Sequence, residues 1–235
     1  MHLLLIRHGQ SRNNHLAGAA DSDYLAGRLA DPPLTERGQQ QALRLAEWAA
    51  GDDLCGRVTH LYTSLTTRAV QTAAPLAQAL GLKAHGLREA YECGGLNSGP
   101  AGGFAPVAGC DHASLQADCP ALLWPEELGG QTWDGGCEPW EHAHFAARAA
   151  RVTARLRRDV GEADVLALVT HHDFAQYLVA DLLGLPTPNG EALTFRLNNT
   201  GTACLELSTD AAGAERALLH WFNRTCHLTP GLVTL

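Results

Sequence analysis

Short apolar runs alternate along the chain with longer segments in which apolar residues recur at every third or fourth position. The short runs are typical of buried strands, and the longer segments are typical of helices that pack on a sheet. The predicted strands are residues 3–6, 58–62, 164–169, 203–207 and 217–222. The predicted helices are residues 35–50, 66–80, 141–158 and 173–183. This alternation predicts a three-layer α/β/α sandwich with a mainly parallel sheet.

Polar side chains directly follow three of the predicted strands. Arg7 and His8 follow the first strand, Ser64 follows the second, and His171 and His172 follow the strand at 164–169. Ligands of parallel sheets bind beyond the carboxyl ends of the strands. We therefore expect these residues to form a site at one edge of the sheet.

The stretch from about 92 to 140 interrupts the alternation. It is rich in glycine and proline, and it holds four of the seven cysteines and three of the five tryptophans. Connections in α/β folds usually have about 2–6 residues, and much longer ones are often functional. We expect a single domain over residues 1–235 in which 92–140 forms a cap over the site. The alternative is an insertion whose tryptophans only build a small core of its own.

Four blocks of residues stand in a fixed order along the chain. They read Arg7-His8-Gly9, then Leu34-Thr35-x-x-Gly38-x-x-Gln41-Ala42, then Ser64-x-x-x-Arg68-Ala69-x-Gln71-Thr72-Ala73, and finally Val169-Thr170-His171. Together they resemble the histidine phosphatase superfamily, which is also called the phosphoglycerate-mutase-like family. The first tripeptide alone would be a weak match, whereas the four ordered blocks make a strong one.

The resemblance implies a phosphoryl-transfer site. His8 is expected to attack phosphorus and to carry a phosphohistidine, since a neutral imidazole is nucleophilic near pH 7. Arg7 and Arg68 are expected to hold phosphoryl oxygens, and His171 to complete the positive clamp. The arginines supply positive charge, so no metal or other cofactor is expected. Further contacts with substrate are expected from Gln10, Ser11, Asn14 and His172.

Two of these contacts have a second interpretation. Asn14 is three residues beyond Ser11, so it could instead cap a turn. His172 stands where most members of the family have glycine. It could narrow the mouth of the pocket or contact phosphate, or it could simply be a packed histidine.

Two glutamates are candidates for the general acid that protonates the leaving oxygen. Leu87-Arg88-Glu89 resembles the Leu-x-Glu segment of many members, and Glu92-Cys93-Gly94 resembles the Glu-x-Gly segment of others. The glycines at 94 and 95 favour a sharp turn that brings Glu92 to the cleft. We therefore prefer Glu92 and keep Glu89 as the alternative.

Hydrolysis of a small phosphomonoester is the function that these patterns favour. A mutase would share the first step, but mutase-type members carry Glu-Arg-His-Tyr-Gly after the third strand. This chain reads Glu89-Ala90-Tyr91-Glu92-Cys93 there, which argues against a mutase. A scaffold that only binds phosphate is a third possibility, although it would have no need of a nucleophile.

Composition narrows the partners and the compartment. The chain has 235 residues and a formal net charge of −8, which argues against binding to nucleic acid but not against one small phosphate group. No apolar run approaches the roughly 20 residues needed to cross a membrane. An odd number of scattered cysteines and no secretory signal favour a cytoplasmic protein with reduced thiols. Nothing in the sequence bears on the oligomeric state.

Two groups of cysteine and histidine residues fail as zinc sites. Neither group has the paired Cys-x-x-Cys spacing of structural zinc sites, so no metal site is predicted. The groups are Cys110 with His112 and Cys119, and Cys137 with His142 and His144.

Overall fold

The computed structural model describes residues 1–17, 21–51, 56–99, 103–189 and 194–235, so Cys55, one of the seven cysteines, lies outside it. The strands in this part of the chain are β1 (His2–Arg7), β2 (His60–Ser64), β3 (Ala84–Leu87), β4 (Asn97–Ser98), β5 (Ala105–Pro106), β6 (Leu122–Leu123), β7 (Val165–Thr170), β8 (Thr202–Thr209) and β9 (Glu215–Arg224). The α-helices are α1 (Arg12–Leu16), α2 (Asp21–Gly27), α3 (Glu36–Gly51), α4 (Thr67–Leu80), α5 (His112–Asp118), α6 (His142–Asp159) and α7 (His172–Leu183). Short 3₁₀ helices span Glu126–Leu128 and Pro230–Leu232.

Seven of the strands form one sheet in the order β6-β3-β2-β7-β1-β8-β9. The five strands from β6 to β1 are parallel, whereas β8 pairs antiparallel with β1 and β9 pairs antiparallel with β8. The prediction of a mainly parallel sheet is confirmed. β1 lies between β7 and β8, so the residues that follow β1 emerge near the middle of the carboxyl edge.

Alternate residues of β1 pack on opposite faces of the sheet. Leu4 and Ile6 lie in the core under α3 and α4, while Leu3 and Leu5 lie in the core under α6 and α7. All four are at most 2% exposed, and burying such a side chain contributes roughly 1.5–3 kcal/mol. Helices therefore cover both faces of the sheet, which confirms the predicted three layers.

The stretch 92–140 divides into two parts. In the first part, strand β6 extends the main sheet by pairing with β3. Leu115 of α5, Leu122 of β6 and Trp133 join the core under α4. The hairpin of β4 and β5 and the residues around Trp140 contribute instead to the wall of the cavity described below. Only the second part is in a position to cap a site.

Among the described residues, no helix is both long and apolar enough to cross a membrane.

Candidate active site

A cavity of about 820 Å³ lies at the carboxyl edge of the sheet. Its inner wall is built by residues at the ends of strands and the starts of helices. Arg7 ends β1 and His8 follows it, Arg68 lies in the first turn of α4, and His172 and Asp173 begin α7. Glu92 completes this wall from the loop after β3.

His8 is held as a neutral imidazole whose Nε2 is an acceptor. Its Nδ1 lies 2.7 Å from the carbonyl oxygen of Gly9, which can only accept, so Nδ1 carries the proton. The Nε–H of Arg68 donates to Nε2 at 3.1 Å. Burial, followed by the charges of Arg68 and Arg7, holds the pKa of His8 well below its usual range. Nε2 therefore keeps its lone pair, which accepts from Arg68 in this structure.

His171 has the opposite tautomer. Its Nδ1 accepts from Nη2 of Arg68 at 3.1 Å, and its Nε2–H donates to Oγ of Ser64 at 2.9 Å. His171 is fully buried and lies edge-on to His8, with ring centroids 5.1 Å apart. Burial and the charge of Arg68 hold its pKa well below the usual range. It lies behind Arg68 rather than in the cavity wall.

The two arginines are anchored on their outer sides. Nη1 of Arg7 donates to the carbonyl of Leu197 at 2.6 Å, and its buried Nε–H has no partner among the described residues. Burial lowers the pKa of Arg7 to about 10, which still leaves it charged at neutral pH. Arg68 lies 3.7 Å from Asp31, which also accepts from the amide and the hydroxyl of Thr67. Asp31 thus fixes both the guanidinium and the start of α4.

Close backbone contact brings the first two sequence blocks together. A Cβ on Gly38 would lie 2.1 Å from the carbonyl oxygen of Gln10, and one on Gly9 would lie 2.6 Å from the carbonyl oxygen of Gly38. Only glycine permits this approach at either position. The amide of Gly9 donates to Oγ1 of Thr72, and that of Gln10 donates to Oε1 of Gln41. The loop after β1 is thereby held by α3 and α4.

The structure places the two candidate acids differently. Glu92 lines the cavity, and its carboxylate accepts from the backbone amides of Cys93, Asp173 and Phe174 at 2.9–3.2 Å. Two of these amides belong to the first turn of α7, where a negative charge is favoured. Glu89 lies outside the cavity and pairs with Arg151 at 2.8 Å.

Asp173 is a site residue that the sequence analysis did not single out. It lines the cavity beside Glu92 and accepts from Nε2 of Gln176 at 3.2 Å. Burial and the negative charge of Glu92 raise the pKa of Asp173 to about 7. The sequence signal was its position two residues after His171, at the start of a helix that follows a strand.

The predicted contact residues are only partly brought together. Ser11 and Asn14 line the cavity and also form a capping box at the start of α1, in which Oδ1 of Asn14 accepts from the amide of Ser11. The side-chain nitrogen of Asn14, Nδ2, is therefore the group that this residue can offer to a ligand. His172 lines the cavity, and its Nδ1 lies 3.2 Å from the carbonyl of Leu197.

Gln10 is not part of the cavity wall. Its Oε1 accepts from Oγ1 of Thr35 at 2.9 Å, and the side chain is 7% exposed. The geometry therefore does not support the predicted substrate contact. Gln10 instead connects the loop after β1 to the start of α3.

Asn199 and Thr200 support the site from a loop that no sequence pattern marked. Asn199 and Thr200 are both fully buried. Nδ2 of Asn199 donates to the carbonyl of His8 at 3.2 Å. Thr200 has φ of +53°, a left-handed conformation that is unusual for a β-branched residue, and its amide donates to the carbonyl of Arg7 at 3.1 Å. These contacts fix the backbone of the Arg7-His8 segment.

The outer part of the cavity has aromatic walls and one further arginine. Tyr24, Phe104 and Trp140 line it together with Arg28. Nη2 of Arg28 donates to Oδ1 of Asn97 at 2.8 Å, and its guanidinium lies 4.7 Å from the centre of the Phe104 ring. Trp140 is the only tryptophan of the stretch 92–140 in this wall, because Trp133 is buried in the core and Trp124 stacks on His112.

Solved structures with the same fold include phosphatases. Glucosyl-3-phosphoglycerate phosphatase from mycobacteria is 25% identical, with 94% of this chain and 98% of that chain aligned at a TM-score of 0.62. Phosphoserine phosphatase from Entamoeba histolytica, solved as a variant with phosphoserine, is 22% identical over 97% and 99% of the two chains, also at a TM-score of 0.62. No curated protein matches the sequence.

The buried histidine pair and its arginines lie together at the carboxyl edge of the sheet in an α/β/α sandwich. Residues 3–99 match the family model described as histidine phosphatase superfamily (branch 1). This match covers less than half of the chain and contains three of the four sequence blocks. The family and fold predicted from the four sequence blocks are confirmed.

Proposed function

We propose that the chain hydrolyses small phosphomonoesters through a phosphohistidine intermediate on His8. The observation that carries the proposal is the hydrogen bonding of His8. The Gly9 carbonyl holds the proton on Nδ1, so Nε2 keeps its lone pair, in a residue that lines a cavity together with Arg7 and Arg68. A neutral imidazole next to two guanidinium groups is suited to attack an anionic phosphoryl group.

In the first step Nε2 of His8 attacks phosphorus, and the bond to the alcohol oxygen breaks in line with it. Arg68 exchanges its hydrogen bond to Nε2 for one to a phosphoryl oxygen. Arg7 also lines the cavity, and its positive charge attracts a second oxygen. Glu92 is the general acid in this step and delivers a proton to the departing alkoxide.

In the second step water attacks the phosphorus atom of phosphohistidine. Glu92 accepts a proton from this water, the P–N bond breaks, and inorganic phosphate and neutral His8 are released. Oε2 of Glu92 accepts a single, longer bond of 3.2 Å from Asp173, whereas Oε1 accepts two bonds of 2.9 Å. Oε2 is therefore the oxygen that we expect to exchange the proton.

The outer cavity favours an alcohol that carries a carboxylate. Arg28 places a further positive charge in the outer cavity wall, in addition to those of Arg7 and Arg68. Tyr24 lines the same wall, and Phe104 lies beside the Arg28 guanidinium. The substrates named for the two similar phosphatases, phosphoserine and glucosyl-3-phosphoglycerate, both combine a phosphate ester with a carboxylate. A bidentate contact from arginine suits such a group.

Phosphoryl transfer is tested by alkaline denaturing quench of the protein with a ³²P-labelled phosphomonoester. We expect an acid-labile, base-stable adduct on His8 and none in His8→Gln, with turnover that persists in EDTA. An adduct in the variant, or turnover that requires a metal, would rule out the mechanism. Stable transfer of label to a second phosphoglycerate rather than to water would indicate a mutase.

The substrate class is tested with phosphoserine and 3-phosphoglycerate against glycerol 3-phosphate, which has no carboxylate. In Arg28→Met we expect KM to rise about tenfold for the first two compounds and to change little for the third. An equal change for all three would show that Arg28 does not recognise the carboxylate.

A further inference from the structure

Three metal-ligand side chains converge on the sheet far from the catalytic cavity. His2 begins β1, Glu206 lies in β8, and His220 lies in β9. His2 and His8 are six residues apart along an extended strand, which separates the two places by about 20 Å. This cluster is therefore independent of the phosphoryl-transfer site.

Strand pairing places the three side chains together. His2 lies directly opposite Glu206 across the antiparallel pair of β1 and β8. Glu206 lies opposite Leu218 of β9, two residues from His220 on the same face of the sheet. The backbone positions are fixed by three neighbouring strands, so only side-chain rotation is needed to bring the ligand atoms closer.

The ligand atoms surround one point. Nε2 of His220 lies 3.0 Å and Nε2 of His2 lies 3.9 Å from the same oxygen, Oε2 of Glu206. One ligand atom from each residue can be chosen so that all three lie within 4.8 Å of one another. Tetrahedral zinc with bonds of about 2.0–2.1 Å holds its ligand atoms roughly 3.3 Å apart. The two nitrogen–oxygen separations, 3.0 and 3.9 Å, thus lie on either side of the distance expected between zinc ligands.

A simple hydrogen-bonded group explains this arrangement less well. His220 can donate to Glu206, but His2 at 3.9 Å is beyond hydrogen-bond distance from the same oxygen. The imidazole of His2 nevertheless lies beside that of His220, with ring centroids 5.7 Å apart. Two imidazole nitrogens within 3.9 Å of one carboxylate oxygen offer the donor set of a metal with an open fourth position.

We propose that His2, Glu206 and His220 form a zinc site. The metal would link the edge strand β9 to β1 through β8, with water as the fourth ligand. The three side chains are 29%, 43% and 34% exposed, so zinc can reach them from solvent. Binding only to the folded state would raise its stability.

The test is calorimetric titration of ZnCl₂ into the EDTA-stripped full chain. We expect one site, a melting temperature that rises with zinc, and an affinity lowered at least tenfold in Glu206→Gln and in His220→Ala. His144→Ala is the matched control, because this exposed histidine also lies near a glutamate, with Nδ1 3.3 Å from Glu141. It should bind zinc like the unmodified chain.

Zinc K-edge absorption gives a second measurement that does not depend on activity. We expect a shell of nitrogen and oxygen ligands only. A sulfur ligand, unchanged affinity in Glu206→Gln, or no stoichiometric binding would overturn the proposal. Because the phosphatase mechanism is expected to run in EDTA, its success or failure is read separately.

Discussion

The Nε–H of Arg68 donates to Nε2 of His8 at 3.1 Å, while Nη2 of the same guanidinium donates to Nδ1 of His171. One side chain therefore faces the acceptor nitrogens of both histidines. Since a guanidinium cannot accept a hydrogen bond, both of these nitrogens are unprotonated. Arg68 thus selects the neutral form and the tautomer of each ring.

Arg68→Lys is predicted to lower kcat/KM by about 10²–10³, because an ammonium cannot reproduce the planar fork that spans both histidines. The tautomers of His8 and His171 should also become mixed, as seen by ¹⁵N imidazole NMR. Arg88→Lys is the control, since Arg88 pairs with Asp134 outside the cavity at 2.7 Å. Activity of Arg68→Lys within threefold of the unmodified chain would contradict this role.

The choice between the two glutamates can be made with one pair of isosteric variants. Glu92→Gln should reduce turnover by about 10²–10⁴, the range for loss of a general acid. Glu89→Gln should stay within twofold, because Glu89 lies outside the cavity and pairs with Arg151. Both are compared on an ester with a poor leaving group and on an aryl phosphate. A true acid matters much less for the aryl ester, so an equal loss on both substrates would argue against this function of Glu92.

Much of the site could be predicted because its chemistry is tied to strand ends. Arg7 is the last residue of β1, while His8 and His171 directly follow β1 and β7, and a parallel sheet brings such positions to one edge. Gly9 and Gly38 could be matched to the family, but their mutual contact depends on the packing of α3 against the loop after β1.

Other parts of the site had no local sequence pattern. Asn199 and Thr200 act through backbone contacts about 190 residues away along the chain, as in the bond from Asn199 to the His8 carbonyl. Two-residue strands such as β6 carry no periodicity, so the stretch 92–140 could not be divided in advance. Asp173 was hidden because its raised pKa depends on burial in the folded chain and then on the charge of Glu92, which comes from a distant loop.

Asp173→Asn is predicted to change the pH dependence of stability. The pKa of Asp173 is about 7 in the folded chain against an ordinary 3.8. Between these values the folded state holds a proton that the unfolded state has lost, so the stability of the unmodified chain falls as pH rises through this window. The asparagine variant escapes this loss.

Urea unfolding at several pH values tests this prediction. Asp173→Asn should be more stable than the unmodified chain at pH 8 by ~1 kcal/mol, and this gain should vanish toward pH 4. The expected gain is kept this small because about half of the Asp173 side chain is exposed, and solvent screens its charge. Asp118→Asn on the exposed face of α5 should show no such trend. A gain that is independent of pH would refute the assigned pKa.

Arg148 is predicted to be the most costly cation to remove from helix α6. It is 1% exposed, and its guanidinium lies 3.8 Å from the centres of both the Tyr91 and Phe174 rings. It also pairs with Glu138 at 2.6 Å and donates to the carbonyl oxygens of Glu89 and Tyr91. Arg148→Met leaves a largely buried carboxylate unpaired, which should cost about 3–5 kcal/mol.

The matched control is Arg151→Met, three residues along the same helix. Arg151 is 58% exposed and pairs with Glu89, so its loss should cost no more than ~1 kcal/mol in urea unfolding. Adding Glu138→Gln to Arg148→Met should restore part of the lost stability, because it removes the uncompensated charge. If the double variant were less stable than Arg148→Met, charge burial would not be the cause.

Gly38→Ala is predicted to destabilise the protein although it lies in a helix, where alanine is ordinarily preferred. An alanine Cβ would lie 2.1 Å from the backbone carbonyl oxygen of Gln10, so α3 and the loop that carries His8 would have to separate. Overpacking of this kind costs about 1–3 kcal/mol. Because the displaced loop carries the nucleophile, kcat should fall as well.

Gly51→Ala in the same helix isolates this contact, since a Cβ at Gly51 has no described atom within 4 Å. It should raise the free energy of unfolding by about 0.5–1 kcal/mol and leave kcat unchanged. Opposite signs for the two glycines in urea unfolding would show that the close approach at Gly38, rather than helix propensity, sets the outcome. Stabilisation in both variants would mean that the loop yields without cost, and the tight packing of α3 against the His8 loop would then have no part in positioning the nucleophile.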